Sequence, residues 1–320
     1  MIGILLPMYG LVRSIDEIEP FYTHIFHGQP PGEERLKDAI WRYRQLGTCD
    51  PLASVTLRQA EALERRIGAL LLDEVRVYVG CKHTPPFVPD AVEQMIRDGV
   101  RRVATLPVTP LYTRSGTGAY RKQVRDALQR FGVDLPVVDI EGWWAEPRFV
   151  DLLGRRLRSA VNWMSAEGRS DFVVLFTAHS QPGLPQANER FCTEFEALAA
   201  SVARAAGGCP WRLAYRSGGP APQVWLGPDV REVIEAEAAA GRKAVVVCEL
   251  MSMTENVEVL YDAGIDCWET ATRHGMEFAR TEFLNDAYEF MDMLSRYAAR
   301  RIRCKDNAYG TAGVLGTKNE

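Results

Sequence analysis

Short apolar runs rich in β-branched residues recur along the chain at residues 2–8, 75–79, 103–108, 136–140, 172–176, 211–215 and 244–248. Runs of this length, apolar on both faces, predict central strands of a parallel sheet. The stretches between them repeat apolar residues at helical spacing, over residues 57–71, 90–98, 121–131, 149–164, 187–206 and 230–240. Strands alternating with amphipathic helices imply right-handed βαβ crossovers and a doubly wound α/β sheet. The alternation runs twice, with about four strands before Trp143 and about four after Asp171. Two similar halves are therefore expected, residues 1–145 and 146–300, followed by a tail at 301–320. The basic start of that tail extends the last helix, and its end is expected to be flexible.

No G-x-G-x-x-G follows any of these strands, and no Walker-type loop is present. Ligands of open α/β sheets bind beyond the carboxyl ends of the strands. That rule directs attention to Tyr9, Lys82 and His83, residues 110–113, His179 and Ser180, residues 216–219 and residues 249–258.

Composition narrows the classes of function. The 320 residues are 47% hydrophobic and 25% charged, the balance of a globular enzyme and not of a disordered chain. Lys plus Arg number 38 against 42 Asp plus Glu, a formal charge of −4 that argues against nucleic acid as a partner. The seven cysteines form no C-x-x-C pair, which suggests reduced thiols and neither a structural zinc site nor a disulfide framework. The apolar opening run is far shorter than the roughly 20 residues of a membrane-spanning helix. A soluble, cytoplasmic protein is expected.

Three features carry candidate chemistry. His179 stands in FTAHSQP, directly after the most apolar strand of the second half. An imidazole there serves as metal ligand, general base or hydrogen-bonded loop residue. His83 precedes two prolines and reads as part of a rigid turn; His24 and His27 fall in an N-terminal helix, and His274 in a polar loop. The second feature is acidic: Glu258, Asp262 and Asp266 follow one another at intervals of four. On an α-helix such residues drift off one stripe, whereas a widened π-type turn brings them back toward alignment. A line of carboxylates beside an imidazole suits a divalent cation; the competing reading is a solvated helix face. The third feature is aromatic: Tyr9, Tyr112, Tyr120, Trp143, Trp144, Tyr215 and Trp225 lie near strand ends. Some of them line a wide cleft for a flat ligand, and most are core material.

These segments, in this order, resemble the ferrochelatases, most of all the bacterial coproporphyrin III type. The resemblance runs from Gly3 to Leu294 through LLPMYG, FYTHIFHGQPP, WRYRQLGTCDPLASVTLRQAEALE, VYVGCKHTPPFVPDAVEQMIRDGV, TGAYRKQ and WWAEPRFV. Its most specific elements are FTAHSQP, WLGPDV and ENVEVLYD. It implies two Rossmann-like halves, each a four-stranded parallel sheet flanked by helices, with a porphyrin cleft between them. It also implies Fe²⁺ insertion into a porphyrin during haem biosynthesis, with Fe²⁺ as substrate and no organic cofactor. The family's invariant histidine falls on His179 and its catalytic glutamate on Glu258, with Asp262 and Asp266 continuing the metal line. Tyr9, Arg42, Tyr120 and Trp225 become residues of the porphyrin cleft. The implied partners are porphyrin and iron, with transient contact with neighbouring haem-pathway enzymes, no stable membrane insertion and a monomeric state.

The chain also departs from the family. Asn256 replaces the usual histidine two residues before Glu258, which removes any proton transfer there. Phe26 and His27 stand where the bacterial type often has basic residues, and Asp50 where it has a serine. Coproporphyrin III is the first expectation for the substrate and protoporphyrin IX the second. Only Cys304 lies in the tail, so no iron–sulfur cluster is expected. Two other readings remain: a porphyrin or haem carrier of the same fold without chelatase activity, and a chelatase for another metal or tetrapyrrole.

Overall fold

β1 (Ile2–Met8) is buried at every residue, as a strand must be when it has neighbours on both edges and helices on both faces. The structure, a computed structural model, describes residues 1–46, 51–219 and 221–312. β1 pairs in parallel with β2 (Val75–Cys81) and β3 (Arg102–Thr105), and β3 with β4 (Val137–Asp139). The first sheet thus has the order β2-β1-β3-β4. The second repeats it with β5 (Phe172–His179), β6 (Trp211–Arg216), β7 (Ala244–Glu249) and β8 (Glu277–Arg280), in the order β6-β5-β7-β8. The seven apolar runs all became strands. β8 was missed because Glu-Phe-Ala-Arg is an edge strand, only half-buried throughout and without an apolar run to betray it.

The helices are α1 (Ile18–Ile25), α2 (Glu33–Gln45), α3 (Leu52–Leu71), α4 (Val88–Arg97), α5 (Ala119–Arg130) and α6 (Pro147–Asn162). They continue with α7 (Ala166–Ser170), α8 (Glu189–Ala205), α9 (Val230–Ala239), α10 (Val257–Leu260), α11 (Cys267–Arg273) and α12 (Tyr288–Ala312). α12 runs beyond the boundary placed at residue 300, so the basic stretch does continue the last helix. No helix among the described residues is long and apolar enough to cross a membrane.

The two sheets share one core. Its largest cluster joins Ile4 and Leu6 of β1 to Phe176 of β5 and to Phe290 and Leu294 of α12. α12 packs against α3 of the first half, where Arg66, Arg148 and Arg296, from three different helices, converge on the buried Asp292. Strand order reverses direction at β1 in one sheet and at β5 in the other. Their carboxyl ends are the topological switch points, and they deliver Tyr9 and His179.

Candidate active site

His179 ends β5. Its Nδ1 lies 2.6 Å from the Ser180 carbonyl oxygen, an acceptor, so Nδ1–H donates and Nε2 is left to face Glu258 Oε1 at 3.3 Å. A second acceptor at Nε2 favours the doubly protonated ring. Burial opposes that charge, but Glu258 outweighs it and raises the imidazole above its ordinary pKa. The segment is pinned to the WLGPDV loop by Ser180 Oγ donating to the Leu226 carbonyl (2.7 Å) and by the Leu226 amide donating to Gln181 O (3.1 Å). This places the Trp225 ring 6.4 Å from the His179 ring. Trp225 packs so closely over Gly219 that a Cβ there would lie 2.6 Å from the indole.

Glu258 sits in the first turn of α10, where Asn256 is the N-cap: its Oδ1 accepts the Val259 amide at 3.0 Å. Asn256 therefore has a structural task. The helix then widens into a π segment, Tyr261–Asp266, before resuming as α11. Steps of four overshoot one α-turn by about 40°, and the π segment takes up that excess. As a result Glu258, Asp262 and Asp266 all line one cavity of about 170 Å³. A second concavity of about 460 Å³ adjoins it through Asp229, Arg231 and Asp266. The expected acidic line therefore exists.

Three arginines were not anticipated in that line. Arg42 Nη1 donates to Asp262 Oδ1 at 2.8 Å, Arg216 Nη1 to Glu258 Oε2 at 3.3 Å, and Arg231 lies 3.5 Å from Asp266. Four carboxylates and three guanidiniums line the smaller cavity, so its wall is only weakly negative. They arrive from α2, β6 and α9, remote in sequence, which is why no spacing rule finds them. Arg42, expected in the porphyrin cleft, is engaged with Asp38 and Asp262 and stacks over the Tyr261 ring. Burial pushes the Glu258 carboxyl up, yet His179 and Arg216 together hold it well below the usual range. Asp262 is shifted upward, by burial and then by the Glu258 charge; its other oxygen accepts from Ser217 Oγ. Asp266 is raised chiefly by burial. Among the described residues no three His, Cys, Asp or Glu side chains converge as a metal cage.

The first half contributes an aromatic flank. Tyr9 is 46% exposed, and burial of its hydroxyl followed by the Glu258 charge pushes it up to about 12; Tyr22 is raised to about 12 by the same two causes. Tyr120 is buried at the start of α5, and its phenol is raised by burial first and then by Tyr9. The Tyr9 ring packs at a 54° tilt with its centroid 4.6 Å from that of His83, whose Nδ1 meets the Nδ1 of His24 on α1 at 3.0 Å. His27 falls just past α1 and takes a left-handed φ of 56°, so only His24 of that pair is helical. Trp143 and Tyr215 are core: the first packs on Phe149 and Phe290, the second on Phe191 and Phe195. Arg35 stacks 5.0 Å above Phe26. Asp50 lies outside the described residues.

Two parallel sheets of matching order, β2-β1-β3-β4 and β6-β5-β7-β8, are a fold shared with solved chelatase structures. SirB from Bacillus subtilis with Fe³⁺ superposes with a TM-score of 0.56 over 94% of each chain, at 10% identity, which establishes likeness of fold. SirB from Bacillus subtilis subspecies spizizenii in complex with cobalt gives 0.53 over the same shares. Sequence narrows the class further. The family profile described as Ferrochelatase matches residues 1–302, and the chain belongs to that family. The coproporphyrin III ferrochelatase of Geobacillus thermodenitrificans (strain NG80-2) is 32% identical over 305 residues, covering 94% of this chain and 96% of that one. The ferrochelatase of Herpetosiphon aurantiacus is also 32% identical, over 91% of this chain and 96% of its own.

Proposed function

We propose that this chain inserts Fe²⁺ into a porphyrin, coproporphyrin III in the first place, with His179 and Glu258 facing the metal. The observation that carries this reading is the 3.3 Å pair of His179 Nε2 and Glu258 Oε1 at the end of β5, in a protein of the ferrochelatase family. Insertion releases two pyrrole protons for each Fe²⁺ that enters the ring, so the site needs groups that bind a borderline cation and also accept protons. Imidazole and carboxylate do both.

Two side chains are also few enough to let the metal go. A full cage would hold a substrate ion too tightly for transfer, whereas a pair completed by water releases it to a better ligand. The Glu258–Asp262–Asp266 wall continues from that pair along the same cavity, and we assign it to metal entry. Tyr9, Tyr120 and Trp225 supply the aromatic surroundings that suit a flat macrocycle. Arg42 is assigned to the metal side, because its guanidinium is committed to Asp262.

The test is an anaerobic absorption assay with Fe²⁺ and either coproporphyrin III or protoporphyrin IX. Metalloporphyrin formation with a higher kcat/KM for coproporphyrin III is expected. Faster turnover of protoporphyrin IX would reverse the substrate order, and porphyrin binding without metallation would replace the enzyme by a carrier.

A further inference from the structure

Arg216 is the largest polar side chain in the interior, with only 1% of its side chain exposed. Apolar strands seldom end in a buried guanidinium, because removing one from water is costly unless every donor is matched. Here they are matched. Nε and Nη2 reach the two oxygens of Glu249 at 3.1 and 3.3 Å, Nη2 also reaches Ser252 Oγ at 2.9 Å, and Nη1 reaches Ser217 Oγ at 3.2 Å and Glu258 Oε2 at 3.3 Å. Glu249, at the end of β7, is itself fixed: it accepts Thr177 Oγ1 at 2.8 Å and the amides of Met251 and Ser252 at 3.2 and 2.9 Å. A rigid chain of contacts thus runs from the backbone of two central strands to one oxygen of Glu258.

We infer that Arg216 is a positioning residue for metal insertion, holding the Glu258 carboxylate so that Oε1 is presented beside His179. The inference rests on the assignment of Glu258 to the metal. Glu258 lies at the start of a helix and its side chain is 47% exposed, so packing alone leaves its carboxylate free to turn. Two contacts stop it, one on each oxygen: His179 and Arg216. Arg216 borders the metal-entry cavity with only 1% of its side chain exposed and, being a cation, is no ligand for Fe²⁺, so it acts through its neighbours. A planar guanidinium can hold Glu249 and Glu258 at once; an ammonium on a flexible stem cannot reproduce that geometry.

Removing Arg216 alone would strand Glu249 as an unpaired buried charge, so the informative variants are R216K and the neutral pair R216Q/E249Q. The first keeps the charge opposite Glu249; the second removes both charges at similar volume. Each is compared with the wild type in anaerobic insertion of Fe²⁺ into coproporphyrin III, with porphyrin binding and thermal unfolding measured in parallel. Loss of an outer contact that orients a metal ligand typically costs about 10- to 100-fold. Both variants are expected to bind porphyrin as the wild type does and to lose about tenfold or more in kcat, with the KM for Fe²⁺ not raised. R216K with wild-type kcat, or a folded R216Q/E249Q within twofold of it, would overturn the inference while the function stands. A loss confined to KM would overturn it equally. A wild type that never metallates would overturn the function and, with it, this role.

Discussion

Lowering the pH should loosen the contact between α1 and the turn after β2, because that contact needs a neutral imidazole as its acceptor. His83 is 9% exposed, and its Nδ1 meets His24 Nδ1 at 3.0 Å; one ring donates and the other accepts, which two protonated rings cannot do. Burial first, then the neighbouring Lys82, His24 and His27, push His83 down to about 4. Among the described residues no carboxylate contributes to that shift; the rings of Tyr9, Phe21 and Phe87 pack around the pair. The unfolded chain takes up a proton here near 6.5, so between 6.5 and 4 it binds more protons than the folded one. Stability from His83 is complete above 6.5 and is lost as the pH falls toward 4. From the value of about 4, the full contribution is about 3 kcal/mol, of which about 2 kcal/mol disappears between pH 7 and pH 5. For a chain of this length that is about 3 °C in Tm. Urea unfolding of the wild type and of His83→Gln at both pH values isolates the effect, since the carboxylates titrate alike in the two proteins. The wild type should lose about 2 kcal/mol more than the variant. Equal losses would refute the reasoning.

Asn256→Ala should cost about 1 kcal/mol through the lost helix cap, with chemical denaturation as the check. Asp262→Asn and Asp266→Asn should raise the KM for Fe²⁺ with little change in kcat, because each leaves the cavity wall with no net negative charge. The wild-type KM should also rise with salt, since charges open to solvent are screened beyond about 10 Å at 0.1 M ionic strength; neutral variants with wild-type metal kinetics would reduce both residues to structural partners of Arg42 and Arg231.

Central strands were legible because burial on both faces writes an uninterrupted apolar run, and β1 was readable to the residue. β8, which shields one edge and exposes the other, carries no such mark. The π segment was legible from the interval of four between carboxylates, a local property of one helix. Their counter-charges were not. Arg216 reads in the sequence as the polar residue after an apolar strand, and only the packing of β6 beside β5 reveals that it lies inside. The His24–His83 contact was equally hidden, since each histidine taken alone reads as structural and the bond spans 59 positions. Asn256 is the converse case: a departure from the family pattern that looks like a loss until the cap it makes is seen.

The most direct test of the His179–Glu258 assignment is one cuvette in which porphyrin binding and metallation are read together. His179→Ala and Glu258→Gln are each titrated with coproporphyrin III and then given Fe²⁺ without oxygen. The shifted spectrum of bound porphyrin should appear with an affinity within a few-fold of wild type, and the metalloporphyrin bands should fail to form. Bands growing at the wild-type rate in either variant would contradict the account.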